Sequence, residues 1–458
     1  MSAPAGPVAI VGGGIAGLAA AYELQCRDVP FVLLEAGERW GGVIRSERAD
    51  GFLLEAGPDT LLAQKPAALA LARELGLESR LVPVNNEQRT LFVLHRGRLH
   101  ALPDGMVLGV PTRVAPLVRT RLFSWPGKLR MAGDLVIPRG RVGADESIAA
   151  FFRRRLGHEA LDRLGGPFLA GIHAGDPERL SLPANFPTLT ALETRHGSLI
   201  RGLLASRPRS AGPPAPMFYS LRDGLGELVD ALVARLPAAS LRLHCPVRGL
   251  RRNGTGFVLR TGDAAELRAR AVVLAVPPSR AAALLADVDS HVAAALGAVR
   301  SASTAAVYLG YRRSQVAHPL DGHGLIVPED EGLHTSACSF FSTKFPGRAP
   351  LGHVLLRGFL GGVRRPGSVD GSDDDLVKRV HDEMAPVLGL RGSPVLARVY
   401  RWPSATPQIE VGHRQRIAVL ERRLTTLPGL FLTGAGLRGT GIPDCVADAR
   451  AQGVRSAV

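Results

Sequence analysis

Val8-Ala9-Ile10-Val11-Gly12-Gly13-Gly14-Ile15-Ala16-Gly17-Leu18-Ala19-Ala20-Ala21 joins an apolar run, a glycine cluster and an alanine-rich stretch without a break. Residues 8–11 are wholly apolar, as a parallel strand covered on both faces requires. Gly12, Gly14 and Gly17 supply the G-x-G-x-x-G spacing. The first permits the tight turn, the second lets backbone approach a pyrophosphate, and the third lets the next helix sit close on the sheet. The helix opening there aims free N–H groups and its positive dipole end at the phosphates. Pro30-Phe31-Val32-Leu33-Leu34-Glu35 then reads as a second buried strand ending in an acid. Glu35 is placed to grip ribose hydroxyls and disfavours a 2′-phosphate, so the nucleotide is FAD or NAD.

Downstream, Ala36-Gly37-Glu38-Arg39-Trp40-Gly41-Gly42 continues the site. Arg39 is within reach of the phosphates, and Gly41-Gly42 leaves room under an extended cofactor, which favours FAD. Gly51–Thr60 reads as a strand and turn that bring main chain against the flavin end. Near the C-terminus, Leu430–Gly434 is a buried strand, and Gly436, Gly439 and Gly441 lead into a helix opening at Pro443, a second glycine-rich helix start.

Composition bounds the rest. The chain has 458 residues, 46% of them hydrophobic and 21% charged, enough for two or three globular domains. A net charge of +15 rests almost wholly on arginine, since only Lys65, Lys128, Lys344 and Lys378 are lysines. Such a surface attracts anions, whether carboxylated substrates or acidic lipid headgroups. No nucleic-acid-binding signature accompanies it. Cys26, Cys245, Cys338 and Cys445 form no C-x-x-C pair, which suits a reducing cytosol, and the 13 histidines show no metal-ligand spacing. No apolar run is long enough to span a membrane.

The fold expected is mixed α/β: a Rossmann-like FAD-binding domain, a substrate-binding β-sheet domain and a helical insertion. The FAD domain is discontinuous, over 1–85, 224–290 and 395–458. The sheet domain takes 86–110 and 291–394, beginning with a hairpin around Arg96-Gly97. Helical texture with Pro/Gly breaks occupies 111–223, and Arg207–Pro214 reads as an exposed loop. The Arg-flanked apolar segment Met106–Arg119 suits interfacial contact with anionic lipid. The location expected is therefore cytoplasmic, and peripheral on the inner face of the cell membrane.

Three further motifs carry a family resemblance. They are Gly166–Ser181, containing Ala174-Gly175-Asp176-Pro177; Ser220-Leu221-Arg222-Asp223-Gly224-Leu225-Gly226-Glu227-Leu228; and Val411-Gly412-His413 with Pro428–Gly434 and Gly439–Cys445. In them the chain resembles the FAD-dependent protoporphyrinogen and coproporphyrinogen oxidases of haem biosynthesis, within the amine-oxidase and phytoene-desaturase superfamily. The resemblance covers nearly the whole chain. It implies FAD contacts from Gly12, Gly13, Gly14, Ile15, Ala16, Gly17, Glu35, Ala36, Arg39, Gly42, Gly57, Pro58, Asp59 and Thr60. Val247 would meet the adenine, and Trp402, Gly441 and Ile442 the flavin. Arg89 would pair a substrate propionate, Gly175 would line the pocket, and Leu325 and Phe340 would sandwich the macrocycle. The activity implied is oxidation of a porphyrinogen, protoporphyrinogen IX with coproporphyrinogen III as the alternative, by O2 with release of peroxide. The enzyme would act as a monomer or homodimer. No general base is implied, because the cofactor carries the chemistry. An amine oxidase and a carotenoid desaturase are the rival flavoenzyme readings.

Overall fold

The computed structural model describes residues 6–141, 143–206 and 216–458; the loop expected at 207–214 lies outside them. Strands Val8–Val11, Phe31–Leu34, Leu241–Arg242, Ala271–Leu274 and Leu430–Leu432 form one parallel sheet. The two central strands and Phe31–Leu34 are buried along their whole length. Their alternation splits the core. Val8, Ile10, Leu33 and Val273 face helices Ile15–Gln25 and Ile442–Ala457. Ala9, Val11, Leu34 and Leu274 face the three-stranded sheet of residues 247–269 and helices Ser290–Gly297 and His413–Leu424. Each such valine, leucine or isoleucine contributes about 1.5–3 kcal/mol by leaving water.

A seven-stranded sheet forms the second layer. Its order is Leu396–Pro407, Ser301–Arg312, His353–Gly361, Ala337–Phe340, Gly322–Ile326, Thr90–His95, Arg98–Ala101. All pairs are antiparallel except Gly322–Ile326 with Thr90–His95. The hairpin at Arg96-Gly97 closes with both residues at positive φ, as a two-residue turn in a twisted ribbon needs. Strand Leu396–Pro407 belongs to this sheet and not to the FAD-binding layer expected from 395 onward: it pairs as the edge strand beside Ser301–Arg312. Helix Asp373–Leu388 covers one face of the sheet through Leu376, Val380 and Met384.

The described residues of the insertion form helices between Val114 and Ala205, whose core packs against Val93 and Ile326 of the large sheet and Val110. Arg155 and Asp134 lie at the insertion's centre, both fully buried. Arg155 Nε donates to Asp134 at 2.7 Å, and Asp134 also accepts from the Ser198 hydroxyl at 2.6 Å. The Met106–Arg119 segment is not one continuous face. Met106–Val107 and Val110–Pro111 pair across a turn at Leu108-Gly109, and a helix starts only at Val114.

The two sheets are joined at Glu55, which is fully buried. Its carboxylate accepts from the Ser46 hydroxyl at 2.7 Å and the Leu225 N–H at 2.8 Å. Its backbone N–H and carbonyl both bond the Tyr308 hydroxyl of the large sheet. Gly224 is required here, because a Cβ would sit 2.2 Å from Ser46 Oγ. Burial pushes the Glu55 carboxyl up to about 7, against the pull of Ser46, the Leu225 N–H and Arg348. The folded state therefore keeps a proton that the unfolded chain releases above 4.5. That contribution is present below 4.5 and is lost as pH rises through about 7. Glu55→Gln, which stays neutral, is expected to flatten the fall in melting temperature across this window. Parallel wild-type and variant curves would contradict the assignment.

Candidate active site

Each of the first two dinucleotide glycines has a distinct steric reason. Gly12 leaves strand Val8–Val11 at φ +106°, and a Cβ there would lie 2.6 Å from the Ala275 carbonyl oxygen. At Gly14 no described atom lies within 4 Å of a built Cβ. Gly14 is also the N-cap of helix Ile15–Gln25, with no side-chain cap and no acid in the first turn. The open N–H groups and the empty space above Gly14 form a cradle for an anion.

Glu35 closes one side of the cradle. Its carboxylate accepts from the Gly13 N–H at 2.6 Å and the Gly37 N–H at 2.8 Å, leaving lone pairs for hydroxyl donors. The Glu35 and Gly37 carbonyls accept from the Cys245 and His244 N–H groups, which brings strand start Val247 beside the same end. Ala36 is exposed next to it. Arg39 is turned inward. It donates to the carbonyls of Trp40, Gly42 and Ile44, and burial lowers its pKa. In this structure it staples the loop rather than pointing at the phosphate cradle. Gly42, at φ +59°, packs against Gly14 with 3.3 Å to a built Cβ.

The far end is assembled from both sheets. At Gly57 a Cβ would meet the Val43 carbonyl oxygen at 2.0 Å, and its own carbonyl accepts from Arg357 Nη2 at 2.6 Å. Pro58 and Thr60 flank Asp59, which is buried between Lys344 at 3.1 Å and Arg357 at 3.3 Å. Burial alone would raise the Asp59 carboxyl; the two cations outweigh it and hold the group below the usual range. Trp402 Nε1 donates to the Ala56 carbonyl at 2.6 Å, so the tryptophan stands at the same turn.

Helix Ile442–Ala457 runs parallel to Ile15–Gln25. Gly434 neighbours Ala16 near their starts, and Gly453 abuts Ala20 and Glu23 further along. Gly441 and Ile442 thus put a second helix N-terminus at the same end of the sheet. His173 sits beside it, Nδ1 3.5 Å from the Thr440 hydroxyl. Burial, with Lys65 adding to it, depresses its pKa to about 4, so it is a neutral imidazole near pH 7. Gly175 is packed against Leu180 and Gln408, and a Cβ would come within 2.6 Å of either.

Arg89 is exposed at the entry of strand Thr90–His95 and has no acidic partner among the described residues. Alternation puts it on the face shared by Leu91 and Val93, which pack on the helical insertion. Leu325 and Phe340 do not share that face. They are 1% and 0% exposed and pack with Phe92, Val380 and Met384 under helix Asp373–Leu388. A one-residue change of register separates the two faces of a strand, and sequence pattern alone does not resolve it for such short strands. Both side chains are directed away from the Leu91 and Val93 face. Sequence reading missed Lys344, Arg357 and His173, because the partners are brought together only by the fold.

The sequence profile of the flavin containing amine oxidoreductases matches residues 15–458. The chain belongs to that family. A Bacillus subtilis coproporphyrinogen III oxidase is 36% identical over 97% of this chain and 96% of its own length. The chloroplastic protoporphyrinogen oxidase 1 of spinach is 31% identical over 95% of this chain and 81% of its own. A solved structure from Exiguobacterium sp. 255-15, a candidate protoporphyrinogen oxidase, superposes with a TM-score of 0.89 at 32% identity over 99% of both chains. Membership fits the residues present: the open Gly14 cradle, the Glu35 carboxylate and the paired helix starts suit FAD. The protein is an FAD-dependent oxidoreductase of the porphyrinogen-oxidising branch.

The geometry separates two glycine variants. At Gly17 a Cβ would lie 1.8 Å from the Gly12 carbonyl oxygen, whereas at Gly14 no described atom beyond its own chain neighbours and helix lies within 4 Å of it. Gly14→Val is expected to fold and melt like the wild-type apoprotein but to purify colourless. Gly17→Ala is expected to lose stability itself. Flavin absorbance and circular dichroism on both decide; a yellow Gly14→Val protein would overturn the cradle.

Proposed function

We propose that this enzyme oxidises coproporphyrinogen III to coproporphyrin III, with O2 as final acceptor and hydrogen peroxide as product. The observation that carries the choice is the higher identity to a coproporphyrinogen III oxidase than to a protoporphyrinogen oxidase, each matched over nearly the whole chain. Protoporphyrinogen IX, the first expectation from sequence, is the second reading, supported by the chloroplast relatives. Both substrates are propionate-bearing macrocycles, and coproporphyrinogen carries more propionates. A strongly basic chain with an unpaired Arg89 suits the more anionic of the two.

Bound FAD supplies the hydride acceptor for a bridging methylene of the macrocycle, while pyrrole N–H protons leave to solvent as conjugation spreads. The protein's part is positioning. Gly12–Gly17 and Glu35 hold the dinucleotide. Lys344 and Arg357 keep Asp59 ionised and so fix the Gly57–Thr60 turn. His173 stays neutral and adds no charge beside Thr440. Arg89 replaces the hydration a propionate loses on entering an apolar pocket, bidentately and at any working pH.

Arg89→Ala is therefore expected to raise KM more than tenfold, about 1.4 kcal/mol, with a smaller effect on kcat. Steady-state kinetics with both porphyrinogens test this and the substrate order together. An unchanged KM with collapsed kcat would remove Arg89 from the binding site. A higher kcat/KM for protoporphyrinogen would reverse the substrate choice.

The insertion supports a membrane contact as well. Val114, Trp125, Leu129 and Val136 are 78%, 62%, 72% and 81% exposed, and Arg113, Arg119, Arg121 and Arg139 stand exposed among them. No helix among the described residues is long and apolar enough to cross a bilayer, so contact would be interfacial. Binding to anionic vesicles at low salt should weaken in Trp125→Ser/Leu129→Ser; indifference of the wild type to such vesicles would end this reading.

A further inference from the structure

At the edge of the large sheet, away from the flavin cradle, the fold joins one histidine to two carboxylates. His95 ends strand Thr90–His95, and Asp330 and Glu331 lie in the turn Glu329–Glu331. Their ligand atoms, His95 nitrogen and one oxygen of each acid, lie within 4.8 Å of one another. His95 is 9% exposed, and its Nδ1, sealed from solvent, has no hydrogen-bond partner among the described residues. That nitrogen points at Glu331 Oε1 from 3.8 Å, too far for a hydrogen bond. A buried ring nitrogen left without a partner is uncommon and calls for an explanation.

We propose that His95, Asp330 and Glu331 form a binding site for one divalent transition-metal ion such as Zn2+. An ion held at about 2.1 Å from each donor can span ligand atoms up to about 4.2 Å apart. The 3.8 Å between His95 Nδ1 and Glu331 Oε1 falls inside that span. Asp330 is exposed and free to swing in by side-chain rotation. One imidazole with two carboxylates is a mixed nitrogen–oxygen set suited to zinc or manganese.

The surroundings prepare the donors. Glu331 is held in place by the N–H groups of Arg96 and Gly97, the latter at 2.9 Å, so its carboxylate is aimed before an ion arrives. Of the nearby cations, Arg163 is engaged by Glu159. The same turn reaches the substrate side: Glu329 pairs with Arg364, which also donates to Asp176 at 3.0 Å in the Ala174–Asp176 segment. An ion at His95 would pin the turn from which that segment hangs.

The test is calorimetric titration of Zn2+ into the FAD-loaded, full-length protein after chelator treatment and desalting. One Zn2+ per chain is expected to bind the wild type. The affinity should fall at least tenfold in His95→Asn and in Asp330→Asn, with flavin content and circular dichroism unchanged. Asp330 makes no hydrogen bond among the described residues, so its variant decides the matter even where His95→Asn fails to fold. Equal zinc affinity in the wild type and Asp330→Asn, as exposed Cys26 or scattered histidines would give, overturns the site. So does a wild type that binds no zinc.

Discussion

Where helix Ile15–Gln25 crosses strand Val8–Val11, Gly17 lies so close to the Gly12 carbonyl that a single added carbon would overlap it. That approach fixes the height of the helix over the sheet. It also sets the direction of the helix start, and with it the open N–H groups above Gly14. Helix Ile442–Ala457 is then laid parallel to the first, again through a glycine, Gly453, against Ala20 and Glu23. Two positive dipole ends converge on one edge of a buried parallel sheet, and an anionic dinucleotide is the ligand such an edge attracts.

The second layer is attached to the first by buried polar groups rather than by apolar packing alone. Glu55 and Asp59 both leave water as the chain turns from the FAD domain toward the large sheet, and their environments push them in opposite directions. Glu55 faces a hydroxyl, a backbone N–H and an arginine 4.0 Å away, and its proton is retained. Asp59 faces Lys344 and Arg357, and its charge is retained. Removing one partner from such a pair costs far more than the pair contributes, because a buried charge is left alone. The joint therefore specifies one relation between the Gly57–Thr60 turn and the large sheet.

Local patterns announced most of this. The apolar strands, the glycine spacing and the helix over Asp373–Leu388 were legible because each depends on residues within a few turns of chain. The whole-chain resemblance was legible through Ala174–Pro177 and the C-terminal glycines. What was not legible depends on distance in sequence or on register. Leu325 and Phe340 read as pocket walls, yet strand pairing turns both toward the covering helix. Arg39 reads as a phosphate contact, yet its nearest acceptors are carbonyls of its own loop. Arg155 and Asp134, in a segment rich in arginine, gave no sign that one of them is the centre of a core.

The Gly14 cradle is proposed to carry FAD in electronic contact with a bound porphyrinogen. Anaerobic rapid mixing of the purified yellow protein with coproporphyrinogen III tests it most directly. The flavin's visible band should bleach within a turnover time while porphyrin fluorescence rises, and admitting O2 should restore the band. A flavin that stays oxidised with porphyrinogens, yet bleaches with a primary amine, would contradict it.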